Sequence, residues 1–361
     1  MSSILFGTTN GNYSDDTKWV GGVKPTAADD ALLSSLSANL TIDTTSLACR
    51  SLDCNTFIGT LTLAAVASVL SIGDGSPGAN NIALRFVPGM TFTSGNGTVG
   101  FNLISTSATQ QSVYTAGKTI GNFTFNGVGG SWLLGDGLIV GPFATLKLSA
   151  GTLNTNSQTL SIGKLQSDSG VTRVLTLGSS QITLTLTSGT VWQLASSALT
   201  LSAASSIINI GVTSSSTRTF AGAGGTYGIL NYILSGSTGE LDITGSNTFQ
   251  KINFYDASNA RSLKFTAGTT TTILGEFNVR GSSGKLITID SITAAAHNLS
   301  KSSGVVACDY LNLKNSHAAG GATWYAGSHS VDLGGNTGWI FTDPPAGLLG
   351  SHVFGDEGLV S

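Results

Sequence analysis

Short segments of alternating apolar and polar residues recur along the chain, from about residue 39 to residue 342. They share one form, with Leu, Ile or Val at every second position and Thr or Ser between them: TLTL (60–63), TLKL (145–148), TLSI (159–162), VLTL (174–177), ITLTL (182–186) and ALTL (198–201). A period of two places the apolar residues on one face of a β-strand and the hydroxyl residues on the other. The pattern therefore predicts an all-β protein.

Turns rich in Gly, Ser and Asn separate these strands, and no helical stretch interrupts them. Asn126, Asn154 and Asn156 are expected at such corners, where asparagine tolerates left-handed backbone geometry and stacked coils would align asparagine side chains in ladders. Strands without helices must stack on one another as sheets, as a barrel or as a solenoid. Because one short sequence pattern repeats with little variation, a solenoid is favoured. We expect a right-handed parallel β-helix with N- and C-terminal caps, and roughly 20–25 residues per coil would give about twelve coils.

The chain divides into four predicted regions. Residues 1–38 carry aromatic residues and Pro and Gly turns, and we expect an N-terminal cap or attachment segment there. Residues 39–315 form the β-helix body, and residues 316–342, with two of the five Trp, form a C-terminal cap. Residues 343–361 follow as an extended tail.

Asp343, Pro344 and Pro345 separate this tail from the rod. Two interpretations stay open, a frayed end and a docking peptide that binds a neighbour. The apolar side chains of such a peptide would be Leu348, Leu349, Val353 and Phe354.

Two polar stretches with less regular alternation, residues 105–118 and 204–227, are expected to be loops that leave the rod.

Composition narrows the classes of partner. Charged residues are 10% of the chain and the net charge is −3, with no basic cluster, which argues against nucleic acid. No apolar run reaches the roughly 20 residues of a membrane-spanning helix. The first residues, MSSILFGTTNGNYSDD, do not have the pattern of a signal peptide. Hydrophobic residues make up 40%, enough for a folded core.

Metal and cofactor sites are not expected. Cys49, Cys54 and Cys308 are too few for a disulfide framework, and buried free thiols are favoured over a bridge. The four His lie outside any zinc-ligand spacing with them, and no close Asp series of the calcium-binding type occurs.

Three segments resemble β-helical bacteriophage virion proteins. They are NFTFNGVGGSWLLGDGLIVG (122–141) with its continuation to residue 185, the ending WYAGSHSVDLGGNTGWIF (324–341), and KWVGGVKPTAADDALL (18–33). These are tail-fibre, tailspike-like or head-decoration components. The resemblance implies a surface-exposed virion protein, assembled in the host cytoplasm, with other virion proteins as partners. It also implies a homo-oligomer, a trimer being favoured, and host cell-surface carbohydrate as a target.

A tailspike hydrolase needs two carboxyl groups, one as acid and one as base or nucleophile. The chain has three Glu, and Glu357 lies in the tail. Glu240 and Glu276 are the candidates, on one side of the rod if they lie one or two coils apart, with Asp242 and Asp256 as further members. Solvated turn carboxylates are the simpler interpretation, so the sequence favours a protein without catalysis.

Exposed aromatic rings would indicate sugar binding. Trp324, Tyr325 and Trp339 are the candidates, although a hydrophobic plug at the end of the rod explains them more simply. Arg173 and Arg218 follow Ser/Thr-containing loops and could touch a ligand, but a lone Arg in a strand is expected to face solvent.

The first functional hypothesis is a non-catalytic structural virion protein, a tail fibre, spike or capsid decoration. The alternative is a tailspike depolymerase that hydrolyses host polysaccharide. A secreted bacterial adhesin is a third interpretation.

Overall fold

The computed structural model describes residues 2–45, 47–64, 69–94, 99–232 and 236–346. The protein is nearly all-β, with 2% helix, and its parallel strands are stacked as a β-solenoid of about 14 turns. The predicted parallel solenoid is therefore confirmed, whereas its right hand and its caps stay predictions, as do the four region boundaries. Two short 3-10 helices, Asp16–Lys18 and Ala79–Asn81, lie among the strands.

The chain splits into two compact units, Met1–Val212 with Phe220–Gly228, and Thr213–Thr219 with Ile229–Ser361. The strands of the first unit are β1 (Ser3–Leu5), β2 (Gly11–Asn12), β3 (Asp30–Leu32), β4 (Leu40–Ile42), β5 (Leu47–Cys49), β6 (Ser51–Asp53), β7 (Thr60–Leu63), β8 (Val69–Ile72), β9 (Ile82–Arg85), β10 (Thr91–Ser94), β11 (Gly100–Leu103), β12 (Gln111–Tyr114), β13 (Thr119–Ile120), β14 (Phe123–Leu134), β15 (Leu138–Val140), β16 (Thr145–Asn154), β17 (Leu160–Ile162), β18 (Lys164–Ser167), β19 (Arg173–Thr176), β20 (Gln181–Leu184), β21 (Gly189–Leu194) and β22 (Leu199–Ile210).

Two further strands, β23 (Arg218–Ala221) and β24 (Thr226–Tyr232), contribute residues to both units. The remaining strands belong to the second unit: β25 (Leu241–Thr244), β26 (Thr248–Tyr255), β27 (Arg261–Phe265), β28 (Thr270–Arg280), β29 (Ile287–Ser291), β30 (His297–Ser300), β31 (Val305–Ala307), β32 (Leu311–Leu313), β33 (Ser316–Ala319), β34 (Thr323–Tyr325), β35 (Val331–Asp332) and β36 (Trp339–Ile340).

Within the first unit the strands form parallel ladders, in which each strand pairs with its counterpart in the next coil. Ladder I runs β1–β3–β6–β9–β12–β14–β16–β19–β22. Ladder II runs β5–β8–β11–β14–β16–β18–β21. Ladder III runs β13–β15–β17–β20–β22, and a separate sheet joins β2, β4, β7 and β10. Long strands such as β14 and β16 bend and serve two ladders.

The second unit repeats this arrangement. Ladder IV runs β25–β27–β29–β32–β35, ladder V runs β26–β28–β30–β33, and ladder VI runs β31–β34–β36. Ladder IV keeps apolar residues above one another, since Leu241 pairs with Leu263 and Ile289 with Leu313. The ladders therefore carry the same inward and outward positions from coil to coil.

The alternation in the sequence places the core. In TLTL (60–63) both Leu side chains are buried and both Thr side chains are partly exposed. Burial of one such Leu side chain stabilises the fold by roughly 1.5–3 kcal/mol. The three thiols Cys49, Cys54 and Cys308 are free and buried, as expected, and burial raises the pKa of Cys308 to about 12.

Corners between strands use left-handed backbone geometry, as the sequence suggested. Asn156 has φ of 53° and its counterpart in the next coil, Gly178, has φ of 55°. Close stacking also selects glycine, because a Cβ on Gly100 would lie 1.6 Å from the carbonyl oxygen of Asn122. The repeat therefore tolerates uneven coil length but fixes the residue type at tight contacts.

Two expectations about loops are wrong. The stretch 105–118 contains β12, which pairs with strands on both sides, and Gln111 at its start is fully buried. The stretch 204–227 is largely strand, since β22 extends to Ile210 and β23 and the start of β24 follow. Polar side chains on an outward face conceal a strand when the inward positions hold small or amide residues.

The solenoid also has more turns than the twelve expected, because strands begin before residue 39. Ser3 already pairs with Asp30, and Asp30 with Ser51. Tyr13 and Trp19 are buried, and their rings meet edge to face with centroids 4.9 Å apart.

Candidate functional site

Of the predicted catalytic residues, Glu240 and Asp242 lie together. Glu240 directly precedes β25 and Asp242 is the second residue of β25, so the two side chains lie on the same outward face. In ladder IV, Asp242 pairs with Lys264 of β27, and the Lys264 ammonium lies 2.6 Å from Glu240 Oε2. The arrangement is a pair of carboxyl groups with one ammonium beside it.

The surroundings of Asp242 favour its protonated form. Burial, followed by the charge and hydrogen bond of Glu240, raises the pKa of Asp242 to about 6. The hydrogen bond and charge of Glu240 raise the pKa of Lys264 above its usual value. Asp242 Oδ1 is buried and has no hydrogen-bond partner among the described residues. A carboxyl pair in hydrogen-bond contact holds a proton more readily than either group alone.

The same face continues as a ladder of alternating charge. Lys264 pairs in register with Asp290 of β29, and Lys314 directly follows the last paired residue of β32. Asp290 Oδ1 accepts hydrogen bonds from the Ser291 amide, at 2.7 Å, and from Asn315 Nδ2, at 3.0 Å. Opposite charges in adjacent coils favour stacking, so this face has a structural use.

Glu276 is placed elsewhere. It lies in β28 of ladder V, where its Oε2 is 2.7 Å from Lys251 Nζ and accepts a hydrogen bond from Asn278 Nδ2. Glu240 adjoins ladder IV, so the structure does not bring Glu240 and Glu276 onto one side of the coil. The expected pairing of these two Glu is not formed, because a spacing of 36 residues does not correspond to a whole number of coils.

Asp256 is a core residue. Its Oδ2 lies 3.1 Å from Arg261 Nε, and both side chains are fully buried. The Arg261 guanidinium lies over the ring of Tyr232, 4.4 Å from the centroid, and Arg218 lies 4.7 Å from the same ring. This cluster stabilises a corner of the coil and has no access to a substrate.

The expectation that Arg173 and Arg218 face solvent is wrong, since both are fully buried. The Arg173 guanidinium donates to backbone carbonyl oxygens of the corners around it, namely Val171, Ser167, Ala195 and Ser197. Arg218 donates to the Tyr232 hydroxyl and to Ser237 Oγ. The signal was present in the sequence, because each Arg stands two residues before an inward Leu or Phe.

The predicted sugar-binding aromatic residues are mostly enclosed. Trp324 is 2% exposed and Trp339 is 9% exposed, and their rings meet edge to face with centroids 5.2 Å apart. Trp324 Nε1 donates to the Ala319 carbonyl. Tyr325, the next residue of β34, is partly exposed. The geometry favours the hydrophobic plug over a sugar platform. The docking-peptide residues Leu348, Leu349, Val353 and Phe354 lie outside the described residues.

A polar groove that the sequence did not indicate lies on ladder II of the first unit. It has a volume of about 360 Å³ and crosses β8, β11, β14 and β16. Its polar lining consists of Asn102, Asn122, Thr124, Asn126, Lys147 and Ser149. Asn102, Thr124 and Lys147 are register partners in three successive coils. No local sequence pattern predicts this groove, because its residues become neighbours only when the coils stack.

Neither of these sites has the donor set of a metal centre. Within the described ranges, no group of three or more His, Cys, Asp or Glu side chains is arranged to hold a metal ion. The described residues also contain no helix that is long and apolar enough to cross a membrane.

Comparison with known proteins returns no relative. Neither protein-family models, nor curated proteins, nor solved structures give a significant match to this chain. Nothing in these comparisons links the protein to bacteriophage proteins. The function is therefore argued from the structure and from the resemblance in the sequence.

Proposed function

We propose that this chain is a non-catalytic structural protein of a bacteriophage virion, a β-helical surface appendage such as a tail fibre, a spike or a capsid decoration. One observation carries the proposal. At one outward position of ladder II, successive coils present the polar residues Ser71, Asn102, Thr124, Lys147, Gln166 and Gln193. A rigid polar face repeated from coil to coil suits a protein that is displayed on a particle.

Ion pairs within the chain support the same proposal. Carboxylates that a hydrolase would need are paired with Lys or Arg, as in Arg50–Asp30, Arg261–Asp256, Lys251–Glu276 and Lys264–Glu240. Arg50–Asp30 and Arg261–Asp256 are buried, and loss of one partner of such a pair costs about 3–5 kcal/mol. The other two pairs are partly exposed and contribute at most about 1 kcal/mol each. The bacteriophage origin itself rests on the sequence resemblance.

The proposed partners are other virion proteins, further copies of this chain and host cell-surface carbohydrate. Antibodies raised against the purified protein test the location. We expect them to label intact phage particles in negative-stain electron microscopy at one repeated position, on the head or on the tail. Purified particles that carry no label and no peptide of this chain in mass spectrometry would contradict the proposal.

The oligomeric state is tested separately. A trimer is favoured for a fibre or spike built from this chain, and size-exclusion chromatography with light scattering measures the mass directly. Three times 36.6 kDa is the expected result. A monomer across the accessible concentration range would contradict the proposed trimer but would not bear on the proposed location on the particle.

A depolymerase is the alternative, and the placement of Glu240 and Asp242 on one outward face is the observation that favours it. Glycosidases hold their two carboxyl groups about 5–9.5 Å apart to flank the bond and, in inverting enzymes, a water. Glu240 is already engaged by the Lys264 ammonium at 2.6 Å, so the pair fits an ion-pair ladder better.

Release of reducing ends from host capsule or lipopolysaccharide tests the alternative. The first hypothesis predicts no release by the wild-type protein. Release that is lost in both Glu240→Gln and Asp242→Asn, and retained in Glu276→Gln, would establish an enzyme that uses this pair.

A further inference from the structure

The groove on ladder II is built by the fold and is not a gap between loops. Asn102, Thr124 and Lys147 stand above one another, and a ladder spacing of roughly 4.8 Å puts the Cα atoms of Asn102 and Lys147 roughly 10 Å apart. Gly100 lines one end, where the absence of a side chain lets β11 approach Asn122. Asn126 and Ser149 line the other end.

Two polar side chains of this groove, Asn102 and Lys147, are available for a ligand. The Asn102 carboxamide and the Lys147 ammonium make no hydrogen bond or ion pair with the described residues, and Asn102 Oδ1 is buried without a partner. An unpartnered buried carbonyl oxygen is costly, and a hydroxyl donor relieves that cost. No carboxylate lies in the groove lining, so Lys147 is the charge that a ligand would meet.

The chemistry of the lining selects a ligand class. Carboxamides donate and accept, and the hydroxyl groups of Thr124 and Ser149 do the same, which matches a ligand with many hydroxyl groups. One ammonium adds a preference for a carboxylate. The volume of about 360 Å³ lies within the usual range of small-molecule sites. The apolar lining residue Phe101 is buried, so little apolar surface is offered.

We propose that this groove binds an acidic oligosaccharide, with its carboxylate at Lys147 and its hydroxyl groups at Asn102, Thr124 and Asn126. The proposal names the site of the glycan contact and so rests on the proposed surface function. It is tested on the purified full-length chain, without particles. Absence of antibody labelling on particles would therefore contradict the virion location but not the proposed binding by the groove. Absence of saccharide binding would contradict the groove proposal but not the virion location.

Calorimetry or ligand-observed NMR with uronic-acid trisaccharides is the experiment, with each trisaccharide compared with its carboxyl-reduced counterpart. We expect the wild-type chain to bind at least one uronate trisaccharide more tightly than the reduced form. Lys147→Gln should weaken uronate binding roughly ten-fold or more and leave the reduced form unaffected, because one charge-assisted hydrogen bond is lost. Asn102→Ala should weaken both.

Lys314→Gln is the matched control, since Lys314 is exposed in the second unit and the same charge is removed. It should bind like the wild type, and circular dichroism should show that all three variants are folded. No binding of any uronate trisaccharide at millimolar concentration would overturn the proposal, as would unchanged binding by folded Lys147→Gln. Equal competition by inorganic phosphate would overturn the saccharide assignment.

Discussion

At the scale of single residues, His297 shows how the core controls ionisation. The side chain is fully buried, its Nδ1 lies 2.9 Å from Ser291 Oγ, and its ring stacks on Phe265 with centroids 4.9 Å apart. Burial lowers its pKa to about 4, opposed by the charge of Asp290 and reinforced by His317. The core therefore holds a neutral imidazole at a pH where a free one is protonated.

This histidine makes the fold sensitive to acid. His297 binds a proton near pH 6.5 in the unfolded chain and only near pH 4 in the folded chain. Its contribution to stability is therefore complete above pH 6.5 and is lost as the pH decreases to 4. The loss is about 3 kcal/mol. Urea denaturation at pH 7, 5.5 and 4 measures it.

His297→Asn keeps a polar group for Ser291 and should flatten this dependence. His329→Asn is the control, since the His329 ring is exposed, and it should lose stability on acidification as the wild type does. An equally steep loss in His297→Asn would show that other groups cause it.

The contribution of Asp242 to stability depends on pH in the opposite direction to that of His297. Its pKa is about 6 in the folded chain and 3.8 ordinarily, so the folded chain holds the proton more tightly between these values. The contribution of Asp242 to stability is therefore highest below about pH 4 and decreases as the pH rises through 6. The residue is partly exposed, and solvent screening reduces the effect to about 1 kcal/mol.

Asp242→Asn should be more stable than the wild type at pH 7 by that amount, and equal to it at pH 4. The Glu240–Lys264 ion pair remains in the variant. Chemical denaturation at both pH values is the measurement. A variant less stable than the wild type at pH 7 would mean that the Asp242 carboxylate stabilises the ladder.

The residue scale also shows what the sequence could and could not reveal. The period of two correctly places Leu61 and Leu63 in the core. The same parity puts Arg173 and Arg218 inside, but arginine is more often solvated than buried. Buried Arg is stable here because corner carbonyl oxygens accept the hydrogen bonds of Arg173, and the Tyr232 hydroxyl accepts one from Arg218. Only the coil geometry supplies those acceptors.

At the scale of elements, outward side chains connect neighbouring strands. Asn253 Nδ2 donates to Asn231 Oδ1 at 2.7 Å, and Asn278 Nδ2 donates to Asn253 Oδ1 at 3.0 Å. Asparagine ladders were expected from the sequence at corners such as Asn126 and Asn154. Both of those residues lie in strands instead, and the ladder forms on β24, β26 and β28. Stacking was predictable, whereas the register that aligns three Asn was not.

Asn253→Ala should destabilise the fold by about 2 kcal/mol, because two hydrogen bonds are lost at about 1 kcal/mol each. Asn253→Asp should cost more, since a carboxylate cannot donate to Asn231 Oδ1. Thermal or urea unfolding is the readout. Asn312→Ala removes an outward amide of β32 that has no such ladder, and a loss as large as that of Asn253→Ala would contradict the argument.

At the scale of the whole molecule, the ladders make the coil the unit of construction. The candidate groove illustrates the consequence, since Asn102, Thr124 and Lys147 are more than twenty residues apart in sequence and adjacent only through register. Uneven coil length prevents a sequence period from predicting that register. The predicted pairing of Glu240 with Glu276 is wrong for the same reason. The proximity of Glu240 and Asp242 could be predicted without knowing the register, because they are two residues apart in the sequence.

A solenoid whose coils contact mainly their neighbours should tolerate loss of one whole coil. Leu160 pairs with Ile182 in register, and Leu165 pairs with Trp192, so deletion of residues 160–181 joins Thr159 to Ile182 and keeps each inward position. We expect this variant to fold as β-structure, with a lower urea midpoint because a coil's buried surface and the hydrogen bonds of Arg173 are lost. Deletion of residues 160–170 removes half a coil and places β19 where β17 belongs, so it should aggregate or fail to fold. Far-ultraviolet circular dichroism and sedimentation velocity distinguish the two. If both deletions behave alike, coil-by-coil stacking is not what specifies this fold.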